Sequence, residues 1–183
     1  MNTESTFPSL NFEPPRTRSF WNVSYETRST SQFNDPNKPP LKVFILPHSH
    51  NDPGWLKSFT NYFESDTRAI LDLVVEKLTE MKEMKFIWTE ISFLDLWWQQ
   101  ATSEQQAAFK KLVKEGRIEI MTGGWVMTDE ANVHFHAMLD QLIEGHQWVK
   151  NNLGVQPKIG WSIDPFGQGS TVPHFLASSG FDG

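Results

Sequence analysis

His50 and Asp52 stand two residues apart, just after the apolar run Leu41-Lys42-Val43-Phe44-Ile45-Leu46 and Pro47. In an extended segment, side chains at i and i+2 point to the same side. An imidazole nitrogen and a carboxylate oxygen could therefore reach one cation together. Asp164 follows a second apolar stretch, residues 157–163, and could supply a third ligand. A neutral imidazole with hard carboxylates suits zinc, and also admits manganese or iron(II). A lone His-x-Asp arises often by chance; a second Asp at a matching strand end strengthens it. The competing possibility is a turn, with Asp52 capping Asp52-Pro53-Gly54 and His50 bonding backbone. Spacing alone does not choose between the two. Asp164-Pro165 is equally open: nucleophile, base or ligand on one side, a simple turn on the other.

Other candidates gather near the same strand ends. Glu90 follows Phe86-Ile87-Trp88 and reads as a satisfied structural carboxylate rather than a catalyst. Gly123-Gly124 permits close backbone approach to a ligand or to Trp125. No Walker pattern or G-x-G-x-x-G is present, so this is not a phosphate loop. Trp55, Trp125 and Trp161 offer flat faces that suit the C–H faces of a sugar; for Trp161, inside a strand, packing is the expected role. His134 and His136 lie two apart in an expected helix, face different ways, and are not read as a ligand pair. His146 and His174 read as surface or helix-packing residues, and Met81, Met84, Met121, Met127 and Met138 as core or helix filler.

The elements that must position these residues follow a rhythm. Residues 41–46 form the first expected strand. A helix is expected over 66–84, its apolar stripe made by Ile70, Leu73, Val74, Leu78 and Met81. Residues 86–88 form the second strand and 91–100 a short helix. Ser103-Glu104-Gln105-Gln106 reads as a capping box that opens the next helix, with Gly116 at its stop. Residues 117–121 form the third strand. A long helix starts at Asp129 or Glu130 and stops at Gly154. Residues 157–163 form the fourth strand, and a last helix runs from near Thr171 toward Gly180. Strands alternating with helices give an α/β fold: a parallel sheet under helical cover, as a partial β/α barrel-like domain. Ligands in such sheets bind beyond the carboxyl ends of the strands, where His50, Asp52, Glu90 and Asp164 fall.

The 183 residues carry no Cys, which excludes disulfide scaffolds and Cys-ligated zinc. A net charge of −6, with no basic run, argues against a general nucleic-acid binder. No apolar stretch approaches a membrane span, and residues 1–30 lack the apolar core of a signal peptide. Residues 1–40 are a polar arm ending in the linker Asp35-Pro36-Asn37-Lys38-Pro39-Pro40, which Phe20 and Trp21 could tack onto the rest. Asn22-Val23-Ser24 is an N-glycosylation sequon, a weak signal by itself.

Three blocks together carry a family resemblance. Pro47-His48-Ser49-His50-Asn51-Asp52-Pro53-Gly54-Trp55 resembles the opening motif of the family 38 retaining α-mannosidases. Thr122-Gly123-Gly124-Trp125-Val126-Met127 with Asp129-Glu130-Ala131 resembles the second block, and Trp161-Ser162-Ile163-Asp164-Pro165-Phe166-Gly167 the third. The order is the family's, and the likeness covers roughly residues 41–181. The wording is similar to the Golgi α-mannosidase II subgroup; lysosomal relatives usually differ at Asn51 and Pro53.

The resemblance implies one zinc ion held by His, Asp, Asp and His, with His50, Asp52 and Asp164 matching the first three. It implies that Asp164 is also the nucleophile and that Trp55 stacks on the sugar. The substrate would be α1,3- and α1,6-linked mannose on a hybrid N-glycan, and the place the Golgi lumen. The family's general acid and fourth ligand lie past Gly183, so the chain as written is expected to be a fragment. It would be marginally stable, inactive alone, and open to self-association through an exposed sheet edge. Gln168 stands where many relatives have His. Two alternatives remain. His48-x-His50 also resembles the metal pair of amidohydrolases, and a truncated, non-catalytic form could bind mannose or a partner.

Overall fold

The computed structural model describes residues 40–183. The chain divides into two units, Met1–Phe44 and Ile45–Gly183. The sequon at Asn22, the Phe20-Trp21 pair and the linker through Pro39 lie outside the described residues. The second unit mixes helices with one small sheet.

The first helical run begins where the Ser58 side chain accepts from Asn61 N and caps helix α1, Phe59–Tyr62. One π turn, Phe63–Thr67, links it to α2, Arg68–Glu80. The buried stripe of α2 is Leu71, Val75 and Leu78, whereas Ile70, Leu73 and Met81 are exposed. The expected stripe is therefore rotated by about one position. The sequence permits both choices, because Ile70-Leu71 and Leu73-Val74-Val75 are apolar throughout. Tertiary bonds decide: Trp97 Nε1 and Gln105 Nε2 both donate to Asp72 Oδ1, at 2.9 and 3.0 Å. They turn the Asp72 side of α2 toward its neighbours.

Strands β1 (Phe86–Trp88) and β2 (Ile118–Ile120) pair in parallel, Phe86 opposite Ile118 and Trp88 opposite Ile120. Between them run α3 (Ile91–Gln100) and α4 (Ser103–Lys114). The capping box of α4 sits one residue earlier than expected. Thr102 Oγ1 accepts from Gln105 N, and Gln105 Oε1 accepts from Thr102 N. Gly116, at φ 66°, ends that helix as anticipated. Aromatic rings dominate the core: Phe63, Trp88, Phe93, Trp97 and Phe109 are almost wholly buried, with Leu71, Leu78, Ile118 and Val149 around them.

Two of the four expected strands do not form as strands. Residues 41–46 are irregular and exposed, with Phe44 and Ile45 more than 80% accessible. The segment just after them bonds to the sheet: Ile87 N donates to Pro47 O and Ser49 N to Ile87 O, both at 2.9 Å. The reason lies in the partner. β1 begins only at Phe86, after a turn, so residues before Pro47 have no extended backbone to pair with among the described residues. Residues 157–163 are likewise not a strand. Thr122 and Gly123, at φ 53° and 67°, bend the chain away directly after β2. Beyond one backbone bond, Thr122 N to Ile159 O, a side chain replaces the ladder. Thr122 Oγ1 donates to Trp161 O and accepts from Trp161 N.

The long helix α5 is Phe135–Leu153, not a helix from Asp129 or Glu130. Asp129 Oδ1 accepts from Ala131 N and Asn132 N, closing a separate side-chain turn that uses the donors a helix start would need. His134 caps α5 instead, its Nδ1 accepting from His136 N at 3.3 Å. Gly154, at φ 71°, closes the other end. Helix α6, Thr171–Ser178, matches expectation. Gly145 lies where α5 meets the second sequence block. A Cβ there would collide with Gly123 O, and would lie 2.7 Å from Gly124 C and Trp125 N.

Candidate metal centre

The segment leaving the sheet edge alternates. Ser49 is buried, and its Oγ accepts from Thr89 N at 3.0 Å and lies 3.1 Å from Thr89 Oγ1. Asn51 N donates to Glu90 Oε1 at 3.1 Å, and Asn51 Nδ2 to Glu90 Oε2 at 3.4 Å. The odd-numbered residues are thus tied to the end of β1. By the two-residue period of extended chain, the even-numbered ones face the other way.

His50 and Asp52 meet Asp164 there. His50 Nε2 lies 3.6 Å from Asp52 Oδ1 and 3.4 Å from Asp164 Oδ2. One ligand atom from each of the three residues lies within 4.8 Å of the others, so the group could hold a metal ion. At metal–ligand distances of about 2.1 Å, tetrahedral ligands stand about 3.4 Å apart. The separations from His50 Nε2 fit that spacing, and one imidazole with two carboxylates is a donor set that zinc accepts. Among the described residues the Asp52 side chain bonds no backbone N–H, and the chain bends directly after it, through residues 53–57.

Two shallow clefts flank the group. One, about 200 Å³, is bounded by Asp129, Met127 and Phe166 as well as by His50, Asp52 and Asp164. The other, about 330 Å³, runs past Trp55, Tyr62 and Asp66. Trp55 is 74% exposed, so its ring face is open to a ligand. Two carboxylates beside these clefts have lowered pKa values. The Asn132 side-chain amide, then the Ala131 and Asn132 N–H groups, lower the pKa of Asp129. The Ser65 hydroxyl and then Lys57 do the same for Asp66. Glu130 Oε2 accepts from Gly169 N at 2.9 Å, which joins the Asp129 turn to the loop after Asp164.

The other expected residues are placed elsewhere. The ring of His48 packs 5.0 Å from that of Trp161, with Nδ1 3.0 Å from Ser49 O, and His48 is not part of the metal group. His146 Nε2 lies 2.8 Å from Thr122 O and packs against Phe181. Gln168 lines a different cavity, about 270 Å³, together with Trp161 and Glu130. The sequence did not single out Asn51 or Thr67. Thr67 Oγ1, 3.2 Å from Asn51 Oδ1, reaches it from the end of the π turn, which leaves no mark in the sequence. The one available signal was Glu90, a carboxylate directly after a strand.

The chain matches one family of glycosidases. The model of the glycosyl hydrolases family 38 N-terminal domain covers residues 40–183, and the chain belongs to that family. It is 55% identical over 185 residues to the alpha-mannosidase 2 of Spodoptera frugiperda, covering 100% of this chain and 16% of that protein. It is 51% identical over 151 residues to the alpha-mannosidase 2 of Homo sapiens, covering 82% of this chain and 13% of that one. The lysosomal alpha-mannosidase of Mus musculus is 40% identical over 159 residues, covering 81% and 16%. The chain thus spans about a sixth of the length of such relatives. The crystal structure of an alpha-mannosidase from Enterococcus faecalis superposes with a TM-score of 0.63 at 20% identity, over 73% of this chain and 15% of that one. At that identity it shares the fold. Among the described residues no helix is long and apolar enough to cross a membrane.

Proposed function

We propose that this chain forms the first part of the catalytic domain of a zinc-dependent retaining α-mannosidase, within a partial β/α barrel. The observation that supports it most is the convergence of His50, Asp52 and Asp164 beside the open face of Trp55. His50 and Asp52 would hold the zinc with Asp164. When bound, the ion would orient the sugar's hydroxyls and stabilise charge at the reacting centre.

The chain's own groups do the rest. Trp55 stacks on the C–H face of the terminal mannose and fixes its height above the cleft. Asp164 presents Oδ2 to His50, which leaves its other oxygen for attack. That oxygen bonds to the anomeric carbon as the glycosidic C–O bond breaks, giving a mannosyl ester on Asp164. The departing oxygen takes a proton from a separate carboxylic acid, a role no residue of this chain is assigned. Water then cleaves the ester, restoring the Asp164 carboxylate and retaining the configuration. The resemblance to the Golgi subgroup points to α1,3- and α1,6-linked mannose of N-glycans as substrate and to the Golgi lumen as the place of action. It also points to a general acid and a fourth ligand outside these residues, so the 183 residues by themselves are expected not to turn over.

The test is hydrolysis of an aryl α-mannoside by the full-length protein that carries these residues. Chelator-sensitive hydrolysis with retention is expected. Asp164→Asn should lower it by roughly a thousandfold or more. Undiminished turnover by Asp164→Asn, or by the fully chelated enzyme, overturns the assignment.

A further inference from the structure

We propose that Glu90 is a positioning residue for the metal centre, acting through Asn51 on the two ligands either side of it. The inference rests on the metal-centre assignment above.

Glu90 is wholly buried, at the join of β1 and α3, with Trp88 and Ile91 as its buried neighbours in sequence. Burying a carboxylate is costly unless its oxygens are hydrogen-bonded. Both oxygens are used on a single residue: Oε1 accepts from Asn51 N and Oε2 from Asn51 Nδ2. Asn51 is held at a third atom, its Oδ1 accepting from the buried Thr67 hydroxyl. The N–H that Glu90 holds belongs to the peptide joining His50 to Asn51. Fixing that peptide plane and the Asn51 side chain fixes the backbone from which His50 and Asp52 project. No other residue between the two ligands exists to do this.

The choice of a carboxylate is informative. Ser49, two residues earlier, is anchored to Thr89 by hydroxyl and backbone alone, so pairing to the sheet edge needs no charge. Glu90 instead offers two acceptor oxygens to one residue, meeting the backbone and the side chain of Asn51 at once. Among the described residues no Lys, Arg or His nitrogen pairs with it. Glu90→Gln keeps the shape and turns one acceptor into a donor facing an Asn51 donor.

The test uses the full-length protein, stripped of metal. Zn²⁺ affinity is measured by competition with a chromogenic chelator, and Co²⁺ substitution gives the visible spectrum of the site. Glu90→Gln should weaken Zn²⁺ binding by about tenfold or more and alter the Co²⁺ bands. Asn51→Ala should move both readouts in the same direction. If Glu90→Gln does not fold, Asn51→Ala, at a half-exposed position, reads the same link. Leu112→Ala, a core change far in sequence from the site, should lower thermal stability while leaving both metal readouts unchanged. Wild-type affinity and spectrum in both Glu90→Gln and Asn51→Ala overturn the positioning role and leave the metal centre standing. A wild-type protein that binds neither ion overturns both.

Discussion

The direction in which His50 and Asp52 point is set by their neighbours, Ser49 and Asn51, which bond to Thr89 and Glu90. A one-residue slip would turn the ligands into the sheet edge and the anchors outward. The ligand assignment separates from the amidohydrolase alternative by two variants. Asp52→Asn should abolish or strongly weaken zinc binding, whereas His48→Ala should leave it near wild type, because His48 packs on Trp161 outside the group. Zinc content after dialysis checks both, and the reverse pattern would favour the His48-x-His50 pair. Asp129 offers a second residue-scale check. Its carboxyl is held down first by the Asn132 amide, so Asn132→Ala should raise its pKa toward the ordinary value, as followed by carbon NMR. The sign follows from linkage. A lowered folded-state pKa adds stability to the turn above the unfolded value, and that stability is lost as pH falls through the folded one.

At the scale of elements, close approach matters more than regularity. Helix α5 carries Gly145 against the backbone of Gly123, Gly124 and Trp125, and Trp125 N donates to Gln141 O of the same helix. The loop after β2 therefore lies directly on the helix backbone. Gly145→Ala should destabilise the protein by about 1–3 kcal/mol, because the new methyl has no room and forces the backbones apart. Chemical denaturation measures it; a change within 0.5 kcal/mol of wild type would mean the loop relaxes freely. The cap of α4 is simpler. Thr102→Ala removes the acceptor for Gln105 N and should cost about 1 kcal/mol. The π turn at Phe63–Thr67 is a third device. It brings the Thr67 hydroxyl to Asn51, so a helical irregularity supports the site from a distance in sequence.

Across the whole molecule, the candidate metal centre joins segments far apart in the chain: residues 49–52 on the edge of β1, and Asp164 in the loop that follows residues 157–163. On one side Pro47 and Ser49 bond to Ile87, Ser49 to Thr89 and Asn51 to Glu90 and Thr67; on the other, Thr122 bonds to Ile159 and Trp161, and Glu130 to Gly169. A cation gripping both sides would act as a cross-link. Zinc at one hundred times its dissociation constant should therefore stabilise the folded full-length protein by about 2.7 kcal/mol. A chelator should lower the melting temperature to match, and Asp52→Asn should remove that dependence. A melting temperature indifferent to zinc would mean that the folded protein does not bind the ion, and would overturn the metal-centre assignment.

Local signals were legible where residue chemistry acts over short range. The three motif blocks, the Gly116 and Gly154 stops, β1, β2, α3 and α6 all follow from apolar runs, caps and glycines within a few residues. So does the grouping of His50 and Asp52, because extended chain repeats every two residues. The arrival of Asp164 beside them was expected from the motif resemblance and from two matching strand ends, but neither of those strands forms. What the sequence could not determine depends on partners distant in the chain. Residues 41–46 and 157–163 are apolar enough for strands, yet a strand exists only where another backbone offers its donors and acceptors. The helix stripe could lie on Leu71 or on Ile70, and Asp72's bonds to Trp97 and Gln105 chose. Glu90 could have been an idle buried acid. Only tertiary folding, by bringing Asn51 to it and Thr67 to Asn51, made it the anchor of the backbone between His50 and Asp52.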